Sequence, residues 1–372
     1  MQQEKIHFEN LNGLRFIGAL MVFIAHAFSI NREVWGSFFE TTPMFLIRKV
    51  TIMGSYGVNL FFVLSGFLIT YLLLAELKQN GRIHIGFFLV RRILRLWPLY
   101  FFVVLFGFFL FPHLPFGIKT VHEFWRYALF LSNFDEIIHG LQDSINFLTV
   151  TWSVSIEEQF YIGWALVIGL IIRRPTIGAF RLFFLVVVLS SVIFRFLNLD
   201  DTRILYYHTL SVISDMAIGG FLATVIFERK TVNFVREMKK WQIALVYLAG
   251  IAFLFLSSRI LPGKLMAVER IVSGTFFAFI LLEQLIAKHS FLKADRIPFF
   301  EAAGRLTYGF YLFHCIVIFY LCKTFEYFHL TQHIGWFLLY FAVLLCLNSL
   351  LTIFSYRYFE KPLLNLKKYF RV

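Results

Sequence analysis

Residues 13–28 read GLRFIGALMVFIAHAF, a run in which only Arg15 and His26 are ionisable. A bilayer core about 30 Å thick takes roughly 20 apolar residues in helix to cross. Extended to position 32, the run meets that length. The polar start before it, MQQEKIHFENLN, lacks the charge pattern and cleavage site of an export signal, so the run reads as a first membrane span.

The whole chain supports this reading. Of its 372 residues 59% are hydrophobic and only 15% charged, with a mean hydropathy of +0.74. Soluble domains run at about 45–50% apolar and about 25% charged, so this chain could not cover an aqueous surface. Fifty phenylalanines suit lipid contact. Cys315, Cys322 and Cys346 all fall in apolar stretches and read as packing thiols rather than disulfide partners.

Ten stretches are long and apolar enough to span: 13–32, 56–77, 93–112, 152–172, 181–198, 205–227, 241–257, 266–287, 305–323 and 334–356. The short apolar segment 124–134 is expected to be re-entrant or to lie at the surface. With the N-terminus inside, 24 of the 35 Lys and Arg residues fall in the inner segments. That bias follows the positive-inside rule and puts both termini in the cytoplasm. It also accounts for the net charge of +13, so nucleic acid is not an expected partner. The expected fold is an all-α polytopic membrane protein, one transmembrane domain over 1–372 with no fused soluble domain.

An ionisable group inside the bilayer costs about 2.5–3.5 kcal/mol even on the lenient insertion scale, so each is a functional candidate. Arg15 and His26 stand eleven residues apart, roughly three turns and roughly 16 Å, and project from one helix face. TWSVSIEEQFY places Glu157 and Glu158 just inside the outer end of the fourth span, at a depth close to that of His26. A carboxylate beside His26 would orient the ring and raise its basicity. FFLVRRILRLWPLY puts Arg91, Arg92 and Arg95 at the inner surface before the third span, as anchors or as a phosphate clamp. In GRLTYGFYLFHCIV, Tyr308, Tyr311 and His314 share a stripe, and Asp215 is similarly deep in SVISDMAIGGFLA. The last three named are candidates for structural hydrogen bonding, for lining a tunnel or for stabilising an oxyanion.

In order along the chain, GLRFIGALMVFIAHAF with its R-x10-H, NLFFVLSGFLI, RRILRLWPLY, WSVSIEEQFY, SDMAIGGFLA, TYGFYLFH and YRYFEKP resemble the acyltransferase-3 family of bacterial membrane O-acyltransferases. The resemblance covers almost the whole chain. It departs after His314, where Cys315 and Ile316 replace a proline often found nearby. It implies an enzyme of the bacterial cytoplasmic membrane that moves an acyl group, acetyl above all, from cytoplasmic acyl-CoA to a hydroxyl of a cell-surface carbohydrate or lipid-linked glycan. By it, Arg15 and His26 match the family's essential R-x10-H pair, and Arg92 and Arg95 its R-x-x-R motif. The expected roles are His26 as general base with Glu157 or Glu158 orienting it, and Arg15, Arg91, Arg92 and Arg95 binding acyl-CoA. Tyr311, His314 and Asp215 are the tunnel or oxyanion candidates. Neither a metal nor a tightly bound cofactor is expected. The rival reading from the buried His, Glu and Asp is a proton-coupled transporter or glycan flippase, although no internal repeat or paired broken helices are visible.

Overall fold

A computed structural model describes residues 8, 10–29, 35, 50–51, 53–140, 147–167, 176–228, 232–291, 293–331 and 333–370. Among them every regular element is helical. Eight helical segments are long and apolar enough to cross a membrane: Leu11–Phe28, Met53–Asn80, Ile85–His113, Ile177–Leu197, Lys240–Ile260, Gly263–Ile286, Thr307–Tyr327 and Ile334–Phe370. Positions 30–32 and 168–172 of the expected spans lie outside the described residues, as do Lys5, Arg173, Arg174, Arg229, Lys230 and Arg371.

Helix α1 spans Leu11–Ser29 and α2 spans Tyr56–Asn80. Gly81 ends α2 in the left-handed conformation, its N–H bonded to the Leu77 carbonyl. Helix α3, Ile85–Leu105, starts two turns before the expected span, so Arg91, Arg92 and Arg95 lie on the helix rather than ahead of it.

Residues 113–140 fold back onto the bundle. They carry α4 (Phe124–Ala128), which packs on α3, and α5 (Ser132–His139), which packs on α6 (Thr151–Leu166). The Ser132 and Ser155 hydroxyls are 2.8 Å apart, and Gln159 Nε2 donates to Asn133 Oδ1 at 2.8 Å and to the Phe130 carbonyl at 2.7 Å. These bonds satisfy polar backbone that hydrocarbon could not. Ser132, Asn133, Asp135 and Glu136 are all fully buried.

Helix α7 spans Ile177–Leu197. The expected span 205–227 is instead three pieces: α8 (Thr202–Tyr207), α9 (Thr209–Val212) and α10 (Ser214–Glu228). The breaks sit beside Arg195 of α7. Its guanidinium donates to the carbonyls of Leu205 and Ala267 and to the Ser211 hydroxyl, which supplies partners the broken helix leaves open. Helices α11 (Lys240–Ile260), α12 (Glu269–Ile286), α13 (Pro298–Gly304), α14 (Thr307–Tyr327) and α15 (Ile334–Ser355) complete the bundle.

Helices α2 and α14 are the centre. In each, 67% of the span is buried, against 17% for α7 and 11% for α11, which face lipid. Close packing at the centre depends on small residues. A methyl group on Gly66 of α2 would overlap the Met216 carbonyl of α10, and one on Gly219 of α10 would overlap the Val63 carbonyl of α2. Gly163 of α6 has open space around its Cβ position.

Two substitutions separate these cases. Gly66→Leu should force α2 and α10 apart and cost at least the 1–3 kcal/mol typical of overpacking, about that or more because backbone is struck. Gly163→Ala should leave stability unchanged or raise it by about 0.4–1 kcal/mol. Thermal unfolding of both variants in detergent checks this; equal melting temperatures would contradict the packing.

Candidate active site

Helices α1 and α14 meet at two imidazoles. His26 Nδ1 lies 2.7 Å from His314 Nε2, and the rings are nearly parallel, with an interplanar angle of 9° and centroids 5.0 Å apart. His314 Nδ1 hydrogen-bonds the carbonyl of Tyr311, one turn back on its own helix. A carbonyl oxygen only accepts, so His314 carries its proton on Nδ1 and presents a lone pair at Nε2. His26 must then donate from Nδ1, which leaves its own Nε2 unprotonated and able to act as a base. His314 is buried and His26 half-buried. The Cys315 thiol completes the cluster, with Sγ 3.3 Å from His314 Nε2 and 3.7 Å from His26 Nδ1.

Two cavities adjoin on the side of the bundle where Arg15 lies. The deeper one has a cavity volume of about 90 Å³ and is lined by Arg15, Arg92 and Arg95, by Ser65, Glu157 and Tyr161, and by Ser153, Tyr308 and Tyr311. Its wall on α2 runs from Val58 to Ile69, roughly 16 Å along the helix. The outer vestibule, about 240 Å³, is lined by Asn12, Arg305, Glu360 and Lys367 among others. Arg15, Arg95 and Tyr308 line both. Three guanidinium groups and one carboxylate therefore face the deeper space, which favours an anionic occupant.

The local partners are specific. Glu157 accepts from Ser65 Oγ at 2.7 Å and from Tyr161 OH at 3.2 Å. The Arg92 guanidinium lies over the rings of Phe88 and Tyr161, at 5.6 and 5.7 Å. The Tyr311 hydroxyl is 2.7 Å from Ser153 Oγ, and the Tyr311 ring centroid is 5.6 Å from that of His314, so Tyr311 is the cavity-lining residue that meets the imidazole pair.

Several expectations need correction. Neither glutamate orients His26; His314 does. Glu157 faces Ser65 and the arginine-lined cavity, and Glu158 accepts from Trp97 Nε1 at 2.9 Å, because the face of α6 that carries them meets α2 and α3. Arg91 lines neither cavity: it donates to the Phe370 carbonyl at 2.7 Å and pairs with Glu76 at 3.2 Å. Asp215 stands apart as well, paired at 2.5 Å with Arg270 of α12. Both are buried, and removing either partner would strand the other at a cost of about 3–5 kcal/mol. Ser65, Ser153, Tyr161 and Cys315 join the site although sequence reasoning did not assign them roles; a serine in an apolar span was the available signal for the first.

A second titratable cluster lies on the folded-back segment. Asp135 accepts from Arg126 at 2.8 Å and from His122, and His139 Nδ1 lies 3.3 Å from the same carboxylate. Burial alone would raise its carboxyl, but hydrogen bonds from His122 and Arg126 outweigh it and hold the group below the usual value. Burial pushes neighbouring Glu136 up to about 7, partly offset by His122 and reinforced by the Asp135 charge. Both His26–His314–Cys315 and His122–Asp135–His139 bring three donor atoms within 4.8 Å of one another. In the first, the 2.7 Å His–His contact is a hydrogen bond, tighter than the roughly 3.3 Å between donors on a tetrahedral zinc with about 2.0 Å bonds. In the second, Arg126 already neutralises the carboxylate.

The chain belongs to the acyltransferase-3 family, described as an acyltransferase domain, which matches residues 8–353. It is a multi-pass membrane protein of that family. Among curated proteins it is similar to the O-acetyltransferase OatA of Staphylococcus aureus, 24% identical over 326 residues, covering 83% of this chain and 52% of the relative. It is also similar to the putative peptidoglycan O-acetyltransferase YrhL of Bacillus subtilis, 34% identical over 186 residues, covering 46% of this chain and 29% of the relative. The chain thus spans about half the length of the first of these or less. No solved structure matches it.

The Glu136 environment sets a pH dependence. A carboxyl raised on folding stabilises the protein below its unfolded value near 4.5, and that stability is lost as pH rises through about 7. Glu136→Gln should therefore leave stability unchanged near pH 4.5 and increase it above pH 7, by on the order of 3 kcal/mol. Unfolding measured from pH 4.5 to 8.5 checks this; a pH-independent difference would refute the buried acid.

Proposed function

We propose that this protein is a membrane O-acyltransferase that moves an acetyl group from cytoplasmic acyl-CoA to a hydroxyl of a cell-surface carbohydrate or lipid-linked glycan. The carrying observation is a pair of basic cavities that share Arg15, Arg95 and Tyr308, the deeper of them walled by Tyr311, whose ring centroid is 5.6 Å from that of His314. The relatives' names add support for O-acetyl transfer, and one of them names peptidoglycan as acceptor. The proposed setting is the bacterial cytoplasmic membrane, crossed ten times with both termini inside, by one transmembrane domain.

The CoA phosphates would sit against Arg15, Arg92 and Arg95, where planar guanidinium forks suit phosphate oxygens. Glu157 balances part of that charge while holding Ser65 and Tyr161 in place. The pantetheine arm would run past Tyr308 and Tyr311 and bring the thioester to the imidazoles. His26 Nε2 takes the proton of the acceptor hydroxyl, whose oxygen then supplies the new ester bond as the CoA thiol departs. His314 fixes the His26 tautomer and disperses the positive charge that develops. The Tyr311 hydroxyl, held by Ser153, is the proposed donor to the oxyanion.

Two variants test the assignment. His26→Ala should lower acceptor acylation by about 10²–10⁴-fold in membranes with equal amounts of folded protein; near wild-type activity would end the base role. Arg92→Ala with Arg95→Ala should weaken acyl-CoA binding while leaving acceptor binding intact. Unchanged acyl-CoA affinity would reject the phosphate clamp.

A further inference from the structure

One nucleophile beside the site has no part in that mechanism. Cys315 follows His314 on α14 and stands four residues beyond Tyr311, on the same helix face. Tyr308 and Tyr311 of that face line the deep cavity, and Cys315 is buried one turn beyond Tyr311. Its thiol is 3.3 Å from His314 Nε2 and 3.7 Å from His26 Nδ1, the two nitrogens that share one proton across their 2.7 Å hydrogen bond. His314 in turn is fixed by the Tyr311 carbonyl. Nucleophile, base and orienting group are the arrangement that activates cysteine. The other thiols lack it: Cys322 sits two turns further along α14 among Phe325 and other apolar neighbours, and Cys346 is exposed on α15.

We propose that Cys315 carries the acyl group as a thioester between donor and acceptor. The proposal rests on the acyl-transfer reading above and divides it into two half-reactions. In the first, the His26 Nδ1 proton shifts across the 2.7 Å contact to His314 Nε2, His26 Nδ1 takes the Cys315 proton in its place, and Sγ attacks the thioester carbonyl of acyl-CoA. The carbon–sulfur bond to CoA breaks, and the departing CoA thiolate takes the proton back from His314. One thioester is exchanged for another, so the step is close to thermoneutral and needs no further reactant. In the second, His26 Nε2 takes the proton of the acceptor hydroxyl, whose oxygen attacks the Cys315 thioester. The ester forms, the bond to Sγ breaks, and Sγ recovers a proton from the histidine pair. Such a carrier lets CoA leave toward the cytoplasm before the acceptor arrives, so donor and acceptor need not occupy the narrow space together.

The test uses the full chain in lipid nanodiscs with Cys322→Ala and Cys346→Ala, so that Cys315 is the single thiol. Radiolabelled acetyl-CoA is added without acceptor, the mixture is quenched in acid, and the label is located by peptide mass spectrometry. The expected result is one acetyl group per chain on Cys315, released by neutral hydroxylamine. Cys315→Ala should abolish the label and reduce acceptor-dependent CoA release roughly 100-fold or more. Cys315→Ser, close in volume, guards against a folding defect: it should fold and still turn over poorly. Label on His26 or His314, or turnover by Cys315→Ala near the parent rate, would overturn the thioester while leaving acyl transfer standing. A parent chain that takes no label and releases no CoA with a glycan acceptor would instead sink the acyl-transfer reading, and this proposal with it.

Discussion

The hydrogen bond from His26 to His314 joins residues 288 positions apart and decides how the rest of the centre is arranged. Both imidazoles are taken out of water, and a buried polar group without a partner costs about 1–3 kcal/mol. The pair satisfies itself: the Tyr311 carbonyl fixes one proton, that choice fixes the second, and one nitrogen of His26 is left as a lone pair. Because α1 and α14 must meet at this point, Tyr308 and Tyr311 are aligned along the cavity and Arg15 stands where it adjoins the vestibule. Basicity and geometry come from the same contact.

Charge elsewhere in the bundle is divided between holding helices together and facing the cavities. Asp215 with Arg270 and Glu269 with Arg195 tie α10, α12 and α7 to one another near one end of the bundle. Tyr56 of α2 donates to Glu269 at 3.1 Å and joins the same network. These groups are spent on one another. Arg15, Arg92 and Arg95 are not: Arg15 has one long bond to Asn12, at 3.5 Å, and Arg92 rests on two aromatic faces. Guanidinium groups held by weak contacts around open space remain able to bind an anion, whereas those in short ion pairs do not.

Much of this was legible in the sequence because apolar length and the cost of buried charge act locally. The stretches at 13–32, 56–77, 181–198, 241–257, 266–287, 305–323 and 334–356 all correspond to long helices, and the folded-back element was visible as a run too short to span. What the sequence did not yield depends on which faces meet. Glu157 and His26 have matching depths, yet the glutamate points at Ser65 and the histidine at α14. Depth is one-dimensional, and pairing needs the rotation of each helix. The segment 205–227 was misread as one helix for a related reason. Its breaks are stabilised by Arg195, a residue of another helix that hydropathy marks only as a charge near a span end. Cys315 passed as a packing residue because its reactivity comes from neighbours the chain brings together only on folding.

The most direct test of the central claim is a cryo-EM structure with a non-transferable acyl-CoA analogue in which a thioether replaces the reactive sulfur linkage. The account predicts phosphates against Arg15, Arg92 and Arg95, the pantetheine arm alongside Tyr308 and Tyr311, and the acyl carbonyl within about 4 Å of the His26–His314–Cys315 cluster, near the 3–3.5 Å of a reactive encounter. An acyl chain ending away from that cluster, or a His26 ring turned to lipid with protein closing the path from the basic vestibule, would contradict it.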